Sequence, residues 1–244
     1  GAFNNQLIKV LMENQELQDR LIEQMLIVMQ EKGYEGLDID FEYILPENRE
    51  QYAQFAGRAR EKMNEYGYKV TVAVAPKISN SQRGILVEGV DYALLGQNAD
   101  AVFLMTYEWG YTYGPPMAVA PLDKVREVVE YAVTQIQPEQ LILGIPNYGY
   151  DWTLPYERGI SRARSIGNVE AVEIAAENGA TIEYAQISQS PWFTYRKNGM
   201  EHVVWFEDVR SITAKWELVR EMGLSGARYW NLMRPFRANW LLVR

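Results

Sequence analysis

Gly36-Leu37-Asp38-Ile39-Asp40-Phe41-Glu42-Tyr43 is the stretch on which the reading of this chain turns. Apolar and acidic residues alternate through it, the period of an extended strand whose successive side chains point to opposite faces. Asp38, Asp40 and Glu42 then share one face at ~6.6 Å per pair. Leu37, Ile39 and Phe41 take the other face, toward covering helices. Three acids on one face of a buried strand cannot all ionise, because low dielectric and mutual repulsion both oppose charge. The ladder is expected to share protons as a coupled system that raises one member's pKa. Such a carboxyl stays protonated as a general acid near neutral pH.

Outward from this stretch the chain alternates. Residues 5–32 carry Leu7, Leu11, Leu21, Met25 and Val28 at helical spacing, with Asn14 as a cap for the longer second half and Gly33 as its stop. Downstream, helical patterns at 48–66, 90–96 and 122–136 separate near-continuous apolar runs at 69–76, 101–107 and 141–146. Apolar runs of that kind read as parallel strands covered on both sides. The spacing means βαβ units, hence an α/β barrel or a doubly wound sheet. The rhythm breaks over 147–206, read as a small α+β insertion, and resumes with a helix at 207–222 and a strand at 226–231.

Composition narrows the chemistry. The 244 residues carry a net charge of -8, which disfavours nucleic acid or an anionic membrane surface as partner. No apolar run approaches the ~20 residues of a membrane span. With no cysteine there is no thiol nucleophile, disulfide or thiolate metal site, and with one histidine, His202, multi-histidine metal sites are excluded. His202 itself reads as an ordinary strand residue, and neither common phosphate-cradling loop occurs. The acids are left with three readings: a solvated strand face, a carboxylate Mg²⁺ or Mn²⁺ site, or glycosidic bond cleavage by carboxyl groups among aromatics. Tyr107, Trp109, Tyr111 and Tyr113 follow one strand, and Tyr148, Tyr150 and Trp152 another. They fall where barrel active sites are built, so Trp109 and Tyr148 are taken as ligand-facing. Trp192, Phe193 and Trp205 stay open between core and platform.

Asp38-x-Asp40-x-Glu42 also resembles the end of the D-x-x-D-x-D-x-E signature of family 18 glycoside hydrolases, the chitinase-like (β/α)8 TIM barrels. Met105-Thr106-Tyr107 is similar to the family's M-x-Y strand, Gly144-Ile145-Pro146-Asn147-Tyr148-Gly149 to its G-x-P-x-Y-G strand, and Trp230 to the tryptophan closing the last strand. Glu108-Trp109-Gly110-Tyr111, Tyr150-Asp151-Trp152 and Tyr229-Trp230-Asn231 look most like the spore-cortex branch, the cortical-fragment-lytic N-acetylglucosaminidases of spore-forming bacteria.

The resemblance implies substrate-assisted retaining hydrolysis of N-acetylglucosamine linkages in peptidoglycan, with no cofactor and no metal. Glu42 is implied as acid and then base, Asp40 as the group orienting the sugar's 2-acetamido nucleophile, Asp38 as its proton-sharing partner, and Tyr107 as a donor to the same carbonyl. Trp230, Met105, Tyr148, Trp109, Glu108 and Asn147 are implied as substrate-binding. The partner is an N-acetylated glycan, peptidoglycan or a chitin oligomer, and the location extracytoplasmic, at the spore or cell wall. The alternative is a non-catalytic, lectin-like sugar binder, since the family includes such members.

Departures qualify the match. Glu35 stands where the signature has its first aspartate, Glu108 replaces the commoner Asp or Asn, and Tyr150 stands where chitinases often place arginine. The ladder belongs on the fourth barrel strand, yet here it begins near the start of the chain. The expectation is therefore a barrel of strands four to eight, built from 1–146 and 207–244 and lacking the first three βα units. The insertion 147–206 would follow the seventh strand. The ladder strand would be an open edge, its acids facing water, and exposed edges invite pairing with another copy.

Overall fold

The computed structural model describes residues 4–242, so the outermost positions of the expected barrel segments, 1–3 and 243–244, lie outside the described residues. Two helices open the chain, α1 (Asn5–Met12) and α2 (Gln15–Lys32). Then come β1 (Gly36–Ile39), α3 (Arg49–Asn64), β2 (Lys69–Val74), α4 (Tyr92–Asn98), β3 (Ala101–Leu104), α5 (Leu122–Ala132) and β4 (Leu141–Pro146). A second group follows: β5 (Gly149–Leu154), β6 (Arg164–Ile166), α6 (Asn168–Glu177), β7 (Glu183–Ala185), β8 (Ser190–Lys197) and β9 (Met200–Trp205). The last elements are α7 (Val209–Glu221) and β10 (Gly226–Trp230).

The strands form two five-stranded sheets, ordered β1-β2-β3-β4-β10 and β6-β5-β9-β8-β7. In the first, β1 to β4 pair in parallel, with Asp38 opposite Thr71, Val72 opposite Val102 and Leu104 opposite Leu143. This is a parallel sheet of the half-barrel type, within the alternatives that the βαβ rhythm left open. Strand β1 stands at the end of the order.

The chain divides into two compact units. One comprises residues up to Met105 with Val128–Leu143 and Gly223–Gly226; the other comprises Thr106–Glu127, Gly144–Met222 and the residues from Ala227 onward. In the first unit, Asn14 caps α2 by accepting the Leu17 N–H at 3.0 Å, and Gly33 closes it at φ +68°. That left-handed conformation favours glycine because a Cβ would crowd the backbone. The buried stripe, however, is not the expected one. Ile22, Leu26 and Met29 are buried, whereas Leu7 is 66% exposed and Val28 is also exposed. The turn at Glu13–Asn14 breaks the helical phase, so one stripe cannot run through both helices, and the run Leu26 to Met29 allows two overlapping stripes.

In the second unit, alternation along β5, β8 and β9 gives the sheet two differently clothed faces. Phe193, Val204, Ile166 and Phe206 bury one face with Ala171 and Ala175 of α6. Tyr148, Tyr150, Trp152 and Val203 cluster with Val119 on the other. Of the three residues left open in the sequence, Phe193 is core, while Trp192 and Trp205 are half-buried and stack on one another with ring centroids 5.6 Å apart.

Candidate active site

In the first unit the acid ladder is arranged differently from its expected form. Strand β1 ends at Ile39, so only Asp38 lies in a regular strand, and Asp40 and Glu42 follow on the segment beyond it. Asp38 and Asp40 are exposed, as the open-edge reading of this strand implies, and Glu42 is half-buried. β1 ends the strand order, so among the described residues its acid face has no neighbouring strand on one side. The opposite face behaves as read. Ile39 is buried, and Phe41 stacks on Phe55 at 5.7 Å and tilts against Tyr52 at 6.2 Å, anchoring the segment on α3.

The acids still interact as a ladder. Partial burial, with the Asp38 charge added, holds the Asp40 carboxyl above the usual carboxylate range. Partial burial and then the Asp40 charge do the same for Glu42. Asp38 accepts a hydrogen bond from the Thr71 hydroxyl, its register partner on β2. Beneath them the phenol of Tyr52, on α3, is fully buried and pushed well above its ordinary value by burial and by Asp40 and Asp38. Just after Glu42 the chain turns at Tyr43, whose φ of +60° is rare for a non-glycine residue. Met105, half-buried, donates its N–H to Val74 at 3.0 Å.

The second unit holds the aromatic residues. Tyr107 is half-buried against the Tyr148–Tyr150–Trp152 cluster. Glu108 sits at φ +69°, and one of its carboxylate oxygens accepts from the Tyr148 hydroxyl at 2.5 Å and the Tyr150 hydroxyl at 2.9 Å. Burial, reinforced by the Glu108 charge, pushes the Tyr150 phenol up to about 12 and the more buried Tyr148 higher still. The turn is stapled next door by Trp109 and Gly110, whose N–H groups reach Val119 and Ala118 at 3.0 and 2.9 Å. Tyr148 is buried in this cluster, so it braces Glu108 more than it faces solvent.

Trp230 is 55% exposed at the end of β10, and its peptide bond to Asn231 is cis. Asn147, expected to touch substrate, is buried and committed: its N–H donates to the Trp230 carbonyl at 2.7 Å, and its carboxamide donates to those of Asn231 and Arg234 at 2.9 and 2.8 Å. It is placed to set the loop that carries Trp230. No group of metal-ligating acids or histidine is gathered among the described residues.

Several polar residues were not anticipated. Thr71 left a signal, a polar residue inside an apolar strand, but Tyr52 left none, because helix packing decides which side chain lies under the ladder. His202 reads as a plain strand residue yet contacts Asp151 at 3.0 Å, and Asp151 also accepts from the Tyr195 hydroxyl at 2.7 Å. Register explains this meeting: Tyr195 pairs with His202 across β8 and β9 on the same face as Asp151.

The chain belongs to the glycosyl hydrolases family 18, whose model matches residues 1–234. It is 42% identical over 243 residues to the cortical fragment-lytic enzyme of Bacillus subtilis (strain 168), covering 99% of this chain and 56% of that protein. The crystal structure of the Bacillus cereus spore cortex-lytic enzyme SleL matches with TM-score 0.96 and 37% identity, covering 100% of this chain and 56% of that one. A chitinase from Chromobacterium violaceum matches with TM-score 0.91 and 25% identity, over 100% of this chain and 75% of that one. The chain thus spans little more than half the length of the first two proteins. The likeness to the spore-cortex branch read from the motifs is borne out.

Proposed function

We propose that this chain carries the acid–base half of a glycosidase acting on N-acetylglucosamine linkages in cortex peptidoglycan, outside the cytoplasm, by substrate-assisted retaining hydrolysis. The observation that carries this reading is the Asp38-x-Asp40-x-Glu42 ladder with the Asp40 and Glu42 carboxyls both held above their usual range. On this reading the parallel strands correspond to strands four to eight of a (β/α)8 barrel, and 147–206 to an insertion after the seventh. Glu42 gives its proton to the glycosidic oxygen as the bond from C1 breaks. The substrate's acetamido oxygen takes that position on C1, and Asp40 steadies the positive oxazolinium that results. Glu42, now a carboxylate, takes a proton from the water that reopens the ring at C1, so configuration is retained. Asp38 holds the proton shared with Asp40. Tyr107, Met105, Trp109, Glu108 and Trp230 enter as sugar-contacting residues by their motifs, Trp230 as the platform under the sugar next to the cleaved bond.

The second reading, a sugar binder without turnover, is favoured by the exposure of Asp38 and Asp40. Mass spectrometry of products from cortex muropeptides and N-acetylglucosamine oligomers separates the two. Release of N-acetylglucosamine-terminated products by the wild type but not by Glu42→Gln supports the hydrolase. Binding with no release by either protein supports the binder.

A further inference from the structure

Trp230 poses a positional problem. More than half of its surface is exposed, so packing alone does not fix the indole. Its position is inherited from its own backbone. Three carbonyls of that backbone, at residues 230, 231 and 234, accept from Asn147, one from its N–H and two from its carboxamide. The carboxamide serves only if its NH2 end faces the loop, and an amide can be seated either way round.

The structure supplies what decides the orientation. The Glu207 backbone N–H, which can only donate, points at the Asn168 side-chain oxygen at 3.0 Å. The Asn168 NH2 must then face the other way, and it lies 3.4 Å from the Asn147 side-chain oxygen. With that oxygen claimed, the Asn147 NH2 is turned onto the two loop carbonyls, which can only accept. Asn147, Asn168 and Glu207 are 3%, 2% and 0% exposed, so water cannot substitute for any of these partners. Glu207 is fixed in turn by the Lys215 ammonium, 2.9 Å from its carboxylate. Asn168 is the first residue of α6 and Glu207 follows β9, so both belong to elements remote in sequence from the loop they govern.

We infer that Asn147 and Asn168 are positioning residues for Trp230, acting as a directional amide relay anchored at Glu207. The relay rests on the functional reading only for its purpose, sugar affinity at Trp230; the orientation itself stands on the hydrogen bonds. The informative change is Asn168→Asp, which alters no residue of the loop itself. Its carboxylate still accepts from Glu207 but cannot donate to Asn147. It instead attracts the Asn147 NH2, drawing it off the 231 and 234 carbonyls.

The test uses the full chain labelled with 5-fluorotryptophan, whose seven tryptophans give separate fluorine resonances, with that of Trp230 assigned by Trp230→Phe. Asn168→Asp is expected to shift or split the Trp230 line and leave the Trp152 line in place. It is also expected to weaken calorimetric binding of an N-acetylglucosamine tetramer about tenfold, the scale of one buried hydrogen bond. A Trp230 line and affinity identical to the wild type would overturn the relay. Should every line collapse, Asn168→Ala, which removes the donor without adding charge, is read by the same criteria. If the wild type binds no tetramer, the functional reading falls, while the fluorine spectrum still decides the relay.

Discussion

Lys215 and Glu207 form an ion pair in which both side chains are fully buried, with 2.9 Å between nitrogen and oxygen. The second Glu207 oxygen is without a hydrogen-bond partner among the described residues, so the ammonium is the carboxylate's main compensation. Replacing Lys215 by Met keeps the length and removes the charge, leaving a buried carboxylate alone. Breaking such a pair costs about 3–5 kcal/mol, whereas replacing both partners with apolar residues of similar volume is often neutral. Lys215→Met is therefore expected to lose that amount, a fall in Tm of roughly 6–20 °C for a chain of this size. The double change Lys215→Met with Glu207→Leu should recover most of it. Burial holds the Glu207 carboxyl above its ordinary value, against the pull of Lys215. A raised carboxyl favours the fold below its unfolded pKa and loses that contribution as pH rises through the folded one. The single variant's deficit should accordingly shrink toward acidic pH, as the orphaned carboxyl takes up a proton. Urea titrations of the four proteins at two pH values provide the cycle. A single variant within 1 kcal/mol of the wild type, or a double variant no better than the single, would refute the reasoning.

The ladder makes its own prediction about pH. Asp40 has a raised pKa, so its protonated form is the one the fold prefers, and the benefit is lost as pH rises through that value. Asp40→Asn should raise the unfolding free energy read from urea titration at pH 7 by roughly 0.5 kcal/mol, after screening at an exposed site, and make no difference at pH 3. A lower midpoint at pH 7 would show that the ladder does not repel. At Glu108, Tyr148→Phe removes a 2.5 Å charge-assisted bond and leaves Tyr150 in place. The expected loss is about 1.5–3 kcal/mol by thermal denaturation, and unchanged stability would mean water replaces the phenol without loss.

What was legible in the sequence is what depends on near neighbours. Asn14 and Gly33 mark the ends of α2 by side-chain and backbone chemistry that acts within one turn. The apolar runs at 69–76 and 101–107 became β2 and β3 because a strand covered on both faces has no polar side to display. The site was legible only as candidates: the one-in-two spacing singled out Asp38, Asp40 and Glu42, and the family resemblance added Tyr107 and Trp230. Less legible was anything set by a partner distant in the chain. Asp38, Asp40 and Glu42 alternate as read, but the strand ends at Ile39, which the alternation itself does not show. Tyr148 and Asn147 lie beside one another in a single motif. One braces Glu108 and the other the Trp230 loop, a division that only cross-strand contacts reveal.

The raised carboxyls answer a further question: whether the ladder's acidity depends on its cover. Asp38 and Asp40 are exposed here, yet Asp40 is still shifted upward, and the Asp38 charge contributes to that shift. Glu42 lies beyond the strand's end and is shifted as well, with Asp40 contributing. Like charges at alternate positions along one extended segment stay within interaction range whether or not a lid is present. Phe41 holds the segment against α3, so the spacing survives past the last backbone pair of β1. The proton-holding tendency therefore rests first on burial and second on the like charge that the one-in-two spacing brings near. Further shelter of this face would add to burial, already the largest cause for both groups, and would push Glu42 further in the direction a general acid requires.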